Sequence, residues 1–580
     1  MATQAPRRAR KKSQPSSTNI VTASPRSLIE ILWMALIPLV LLILAAASSP
    51  VSQLGLSPVY GSIPASIYHQ RLVVTTFLLA VAAQAFYRYH MLALVSAGFW
   101  CLPVLALVSP ILQILLTKRS ASLGPSLGPL LTELCTYFPL LFFSVLSAIV
   151  GLCAALRIGN YGHRTRTTLA SVVSYTLFVI SQMISRNFIE ENIGKSLIVT
   201  RFGLQYVIAA SYTSLLRSRL SLLVCLLLLY PLSQNNHLPL KYTTATVNQT
   251  LHGQGYSLVA RRESLTGYIS VLESLDQGFR VMRCDHSLLG GEWIDRHGSA
   301  RSKLGEPVYS CFVMLEAVRL VECNSCENLF KSDREKQALV IGLGIGTSPS
   351  ALIAHGIATT IVEIDPVVHQ YASRYFHLPQ NHISVIRDAV SYVKELQGAA
   401  KDRGKYDYII HDVFTGGAEP IELFTKEFLE GLSYLLNAEG VIAINYGGDL
   451  LLESASLVVH TVLSVFPKCR LFREEPAPVG KILEKDFTNM IMFCRKSKAA
   501  FGFRKPVQAD FLGSQARKDV LVPEYEIQAG YFEIAGGPDL RPAVLRRGDT
   551  ARLVGLQQQN ALNHWHIMRT VIPGVVWENW

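Results

Sequence analysis

The first 233 residues are almost without acid: four Asp or Glu stand against 18 Lys or Arg, a net charge of +14. Over the whole 580-residue chain only 17% of residues are charged, half are apolar, and mean hydropathy is +0.29. So little charge excludes a disordered or fibrous chain and is unusual for a wholly soluble globular one. The rest of the chain carries 36 basic and 38 acidic residues, so the pI of about 9.1 comes from the N-terminal part. That balance leaves no nucleic-acid footprint on the second part, and no nucleic-acid partner is expected. Cysteine is scattered. Four of the ten (Cys101, Cys135, Cys153, Cys225) lie in or beside apolar runs, and Cys323-Asn-Ser-Cys326 is an isolated CxxC. One such pair is a poor zinc signal, so no metal site is expected, and nothing demands an oxidising compartment.

What is there begins with a basic tail. Arg7, Arg8, Arg10, Lys11 and Lys12 stand among Ser, Pro and Thr, the composition of a solvated segment over 1–27. An apolar run over 31–47 follows, broken only by Pro38. It is long for a signal-peptide core, and more runs come after it: 72–86, 91–116, 130–156, 168–185, 196–216 and 220–232. A bilayer core of about 30 Å needs about 20 apolar residues as helix. This predicts an all-α transmembrane region over 28–233 with six or seven spans in a lipid bilayer. Arg201, inside the sixth run, must lie near an end or face the bundle interior. Arg88, Arg157, Arg164, Arg166, Arg217 and Arg219 fit a cytosolic N-terminus, and Lys118 and Arg119 do not. Six spans leave the second part in the cytosol. Seven put it on the other side, which the Asn248-Gln-Thr250 sequon slightly favours.

The pattern then changes. Short strand-like runs at 256–261, 267–273 and 279–284 predict a small β-meander domain over 234–300. Helical periodicity follows over 309–322. Residues 301–500 read as an α/β doubly wound, Rossmann-like domain. The buried-strand pattern 338–341 leads into Gly342-Leu-Gly344-Ile-Gly346 and a helix opening near Pro349. The strand 359–365 comes next and ends in acids. Glycines there let the backbone approach a ligand closely, and a helix N-terminus offers free N–H groups. Glu363, 21 positions after Gly342, is placed for ribose hydroxyls. Further strands at 383–389 and 406–412 end in Asp388-Ala389 and Asp412, and a helix at 424–436 and a strand at 440–445 follow. Parallel sheets bind ligands beyond the carboxyl ends of their strands, so Glu363, Asp388 and Asp412 should line one crevice.

On these residues, with Gly305-Glu-Pro-Val-Tyr309 and Glu419-Pro-Ile-Glu-Leu-Phe-Thr-Lys-Glu-Phe428, the stretch 256–496 resembles the spermidine synthase family, a branch of the class I adenosylmethionine-dependent methyltransferase fold. The resemblance implies a donor, S-adenosylmethionine or its decarboxylated form, held at Gly342, Gly344, Gly346, Glu363 (ribose), Asp388 (adenine amine) and Ala389. It implies that Asp412 helps to deprotonate an attacking amine and that the chain can form a homodimer; Tyr309 is read separately as the residue that closes the crevice. Three departures matter. Ile345 stands where the family has Asp, Thr415 where it has a second acid, and Ser310 where it has Gln or His. A diamine is a dication whose lost water must be replaced by carboxylates, so these losses favour methyl transfer to an amine or protein acceptor. Aminopropyl transfer in polyamine biosynthesis and a non-catalytic scaffold are the alternatives. A GxGxG loop disfavours an NAD enzyme. Because the donor is expected mainly in the cytosol, the catalytic domain is expected there too. His411 should pack on the other sheet face. The tail 501–580 reads as a packing extension, with His564 and His566 on different helix faces.

Overall fold

The computed structural model describes residues 28–85, 92–156, 162–216, 236–294, 304–323, 332–398, 400–414, 417, 419–477, 485–532 and 544–580. The basic tail, the run 220–232, Arg88, Arg157, Arg217, Arg219, Cys326 and Thr415 lie outside them.

The apolar runs form a helical bundle. Its members are Leu28–Tyr60, His69–Ala85, Leu92–Thr117, Tyr137–Leu156, His163–Asn192 and Arg201–Leu216. Five helical stretches among the described residues are long and apolar enough to cross a membrane: Met34–Tyr60, Ser62–Ala85, Ala97–Thr117, Tyr137–Leu156 and His163–Asn192. The expected sixth run is shorter as helix, because it begins only at Arg201 and its described part has 16 residues. Arg201 thus sits at a helix end, as its charge requires. The first helix is the hub, packed against Tyr137–Leu156 through Leu42, Ala45, Leu141 and Val145. The outer faces stay apolar: Leu79, Val172, Ile180, Met183 and Ile184 are exposed.

Two sheets follow. The small one is an antiparallel meander of β1 (Tyr256–Glu263), β2 (Tyr268–Ser274), β3 (Phe279–Cys284), β4 (Ser287–Trp293) and β5 (Glu306–Pro307), paired in that order. It extends past residue 300, and the periodic stretch 309–322 is not one helix. A short helix, Ser310–Met314, tightens into a 3₁₀ segment, Leu315–Leu320. The chain then leaves as β6 (Val321–Cys323), which pairs with the distant β14 (Phe501–Phe503). That strand pairing takes the residues a longer helix would have used.

The large sheet contains β7 (Gln337–Ile341), β8 (Ala358–Glu363), β9 (Ile383–Ile386), β10 (Tyr406–His411), β11 (Leu436–Asp449), β12 (Lys468–Arg473), β13 (Phe487–Arg495) and β15 (Tyr525–Ile527). Its order is β15-β12-β13-β11-β10-β7-β8-β9. Strands β7 to β11 run parallel, and β13, β12 and β15 join antiparallel. Ala338, Leu339, Val340 and Ile341 are all buried because helices cover both faces, which is why β7 reads as an unbroken apolar run. The sheet does not stop at residue 500, since β15 completes one edge. Cys469 and Cys494, opposed on β12 and β13, form a disulfide, a pairing that spacing alone did not reveal.

The three units are joined by buried polar contacts. Asp365 caps the helix Pro366–Tyr375 by accepting from the Val367 N–H at 2.8 Å. Its carboxylate also accepts from Ser264 and Thr266 of the small domain, at 2.5 and 2.6 Å. Arg201 reaches from the bundle to Glu263 (2.7 Å) and Asp285 (3.0 Å). Arg283 of β3 donates to the Pro58 carbonyl at 2.6 Å.

Candidate active site

The order of the large sheet reverses between β10 and β7, the switch point where open α/β sheets bind ligands. Beyond the strand ends there lies a cavity of about 900 Å³. Gly342, Gly344, Glu363, Asp388, Ala389, Asp412 and Tyr309 all line it.

The loop after β7 is shaped by its glycines. Gly342 has φ +87°, and a Cβ there would lie 2.0 Å from the Asp412 carbonyl oxygen. Gly344 has φ +54°, and its Cβ would meet the Leu289 carbonyl of β4 at 2.4 Å. No side chain fits either position, so the bare backbone faces the cavity. Gly346 behaves differently. It is the left-handed residue that opens the helix Thr347–Ala354, and it does not line this cavity.

Glu363 ends β8. One oxygen accepts from the Leu343 N–H (3.0 Å) and the other from the Asp365 N–H (2.8 Å), which fixes the carboxylate at the loop. Burial outweighs those bonds and pushes its pKa up to about 7. Asp388 follows β9 and does two jobs. It caps the helix Ala389–Gln397 by accepting from Val390 (3.3 Å) and Ser391 (2.8 Å), and it lines the cavity. Only its remaining lone pairs are free for a ligand amine.

Asp412 follows β10, between the two wings of the sheet. Burial raises its pKa to about 6, partly offset by the Asn445 amide, which donates to Oδ1 at 2.9 Å. The Asn445 Oδ1 is buried without a hydrogen-bond partner among the described residues. His411, one residue earlier, points to the opposite face. It donates to the Leu423 carbonyl (2.9 Å) and packs edge-on against Phe424, as expected.

The other wing lies over β11, β13 and β12. Phe487 and Asn489 alternate onto one face of β13, opposite Asp449 and Gly447 of β11. Glu474, just past β12, accepts from the Cys311 N–H (2.9 Å), from the Asn489 amide (2.7 Å) and from the Ser310 hydroxyl. Sequence reasoning missed Glu474 and Glu475, although two adjacent acids at a strand end were a visible signal. It placed His564 on a helix but read the tail as packing, whereas His564, Ile567, Met568 and Val571 of the helix Thr550–Val571 wall the cavity. Among the described lining residues six carboxylates stand against Arg387. The carboxylates taken as lost at Thr415 and Ile345 are therefore replaced in part from another loop, and the cavity as a whole favours cationic ligands.

A bare glycine loop, a ribose-height carboxylate and an acid-rich wall fit an adenosyl sulfonium. The spermine/spermidine synthase domain matches residues 327–472. The N-terminal histidine N-methyltransferase of Emericella nidulans is 45% identical over 549 residues, covering 93% of this chain and 96% of that one. A polyamine aminopropyltransferase of Vibrio vulnificus is 35% identical over 151 residues, 25% of this chain and 50% of that one. The crystal structure of a probable spermidine synthase from Corynebacterium glutamicum covers 49% of this chain and 98% of its own at 15% identity, with a TM-score of 0.36. The relatives named by activity are methyltransferases and aminopropyltransferases, so the non-catalytic scaffold reading falls and this chain is a transferase. It belongs to the family of the Emericella nidulans N-terminal histidine N-methyltransferase, built on a spermine/spermidine synthase domain.

Proposed function

We propose that this protein is a membrane-embedded, S-adenosylmethionine-dependent N-methyltransferase whose acceptor is the N-terminal histidine of a protein. The observation that carries the methyl-transfer reading is the large cavity at the switch point. Its donor cradle lies over β7, β8 and β9, Asp412 stands in the middle, and an aromatic and acidic wall lies over β11 and β13. The histidine acceptor rests on the full-length relative.

S-adenosylmethionine supplies a methyl group on a positively charged sulfur. The protein's part is positioning and desolvation. Glu363 accepts from the ribose hydroxyls, Asp388 from the adenine amine, and the backbone at Gly342 and Gly344 lets the donor sit against the strand end. Asp412 accepts an N–H of the acceptor and so turns a nitrogen lone pair toward the methyl carbon. As the N–C bond forms and the S–C bond breaks, Asp412 takes the proton the nitrogen loses. Tyr309 and the helix Thr550–Val571 close the cavity and keep water out.

The bundle is read as the membrane anchor, from its five long apolar helices and its apolar outer faces. Placement of the catalytic domain in the cytosol rests on donor supply. The Cys469–Cys494 disulfide weighs toward the opposite, oxidising side. Protease protection of the C-terminal part in sealed vesicles decides between them.

Aminopropyl transfer is the second reading, favoured by Glu474 and Glu475, which give the acceptor wall the carboxylates a diamine needs. Full-length protein in detergent is given methyl-labelled S-adenosylmethionine with a His-initiated peptide, or labelled decarboxylated donor with putrescine. Label on the peptide supports the proposal. Label only on putrescine overturns it.

A further inference from the structure

The C-terminal helix Thr550–Val571 has two working faces. His564, Ile567, Met568 and Val571 recur at helical spacing and all line the cavity. The face beside them grips the bundle: the Trp565 indole donates to the Val59 carbonyl at 3.0 Å, and Arg569 donates to the Ser120 hydroxyl at 2.7 Å. Polar side chains one and two turns earlier fix its position on the sheet. Gln557 donates to the Glu419 carbonyl (2.7 Å), and Asn560 accepts from the Asp449 N–H (2.8 Å). A segment held this firmly on both sides is a wall of the site.

His564 is the unusual residue on that wall. Only 4% of its surface is exposed, and no hydrogen bond to another described residue is formed by its ring. Its neighbours are rings: Phe414 edge-on at 5.2 Å and Phe487 tilted at 6.2 Å between centroids. Neither of its ring nitrogens is among the fully buried polar atoms without a partner, so a nitrogen with no protein partner is left to solvent or a ligand in the cavity. The volume it lines is the cavity. The wall is continuous from there, from Phe487 to Asn489 on one face of β13, then to Glu474 through the Asn489 amide. This places aromatic surface, a neutral imidazole and carboxylates on the side of Asp412 away from Glu363 and Asp388.

Resting on the methyltransferase reading above, we infer that His564 is an acceptor-binding residue, hydrogen-bonding the imidazole end of the incoming peptide between Phe414 and Phe487 while its uncharged α-amino nitrogen donates an N–H to Asp412 and turns its lone pair toward the methyl carbon. Burial keeps His564 neutral, so it can accept as well as donate. The assignment makes the C-terminal helix part of the specificity apparatus and explains why it touches both bundle and cavity.

The test uses full-length protein in detergent and two variants, His564→Phe and His564→Gln. Phenylalanine keeps the ring packing and removes the hydrogen bond, and glutamine restores a polar end. The expected result for His564→Phe is an acceptor KM raised about tenfold, the effect of one lost hydrogen bond. The kcat changes far less, adenosylhomocysteine affinity is unchanged, and His564→Gln recovers most of the loss. An unchanged KM overturns the assignment. So does a parallel loss of acceptor and adenosylhomocysteine affinity, which a purely structural role would produce. Calorimetry of a His-initiated peptide against the adenosylhomocysteine-loaded protein gives a readout independent of turnover. Equal binding by wild type and His564→Phe, or none by wild type, also overturns it. If wild type moves only the aminopropyl group, the methyltransferase reading fails, and the same comparison of KM, now for putrescine, judges His564 separately.

Discussion

The pair Asp412–Asn445 offers the sharpest check on the chemistry. Asp412 must be ionised to accept a proton, and burial has raised its pKa to about 6. Below that pH, kcat/KM should fall about tenfold per unit. The Asn445 amide donates to Oδ1 at 2.9 Å and favours the charged form. A hydrogen bond to a charged group is worth about 1.5–3 kcal/mol, and a pKa unit is about 1.4 kcal/mol. Replacing Asn445 with Leu, which fills similar volume and admits no water in its place, should therefore raise the Asp412 pKa by about one to two units. The acid limb of the kcat/KM profile should move from near 6 toward neutral or above. The variant should be impaired at pH 7 and recover as pH rises. Alanine would be a poorer choice, because the space it leaves can take a water that resolvates the carboxylate. The assay is the pH dependence of label transfer, with adenosylhomocysteine affinity as the control for donor binding. An acid limb that stays at the wild-type pH in Asn445→Leu would refute the role given to Asp412.

Asp412→Asn should abolish transfer yet raise Tm at pH 7. The folded pKa lies above the ordinary 3.8, so ionisation costs stability as pH rises from about 4 through 6. The gain, about 1–2 kcal/mol after allowing for solvent reaching the cavity, should vanish near pH 3 in thermal scans. Gly344→Ala should lower both Tm and adenosylhomocysteine affinity, because it forces a Cβ against the Leu289 carbonyl at a left-handed φ, a strain of about 1–2 kcal/mol before any shift of the loop. Glu363→Gln should weaken adenosylhomocysteine binding at least about tenfold by calorimetry, since an NH₂ group must then face either the Leu343 or the Asp365 N–H. Arg201→Met should destabilise the joint between bundle and small sheet by about 3–5 kcal/mol, because Glu263 and Asp285 are left buried without their cation. Limited proteolysis should then cut between the two parts, and an uncut variant would show that the pair is dispensable.

What the sequence made legible was local. The bundle helices could be read from apolar runs because a helix of bilayer length is a property of consecutive residues. Strand β7, the glycine turn after it and the acid closing β8 lie within about two dozen residues of one another, so spacing carried them. Asp412 was found the same way, at the tip of a buried strand. What needed the tertiary structure was contact between distant segments. Residues 315–323 became a 3₁₀ turn and a strand because β14, almost two hundred residues later, was there to pair with β6. Arg201 found its counter-charges on another domain. Gly346 opens a helix instead of lining the cavity. Glu474 and His564 entered the site only because β12 and the C-terminal helix fold back over the strand ends, bringing together side chains that periodicity could place on a face but could not place opposite one another.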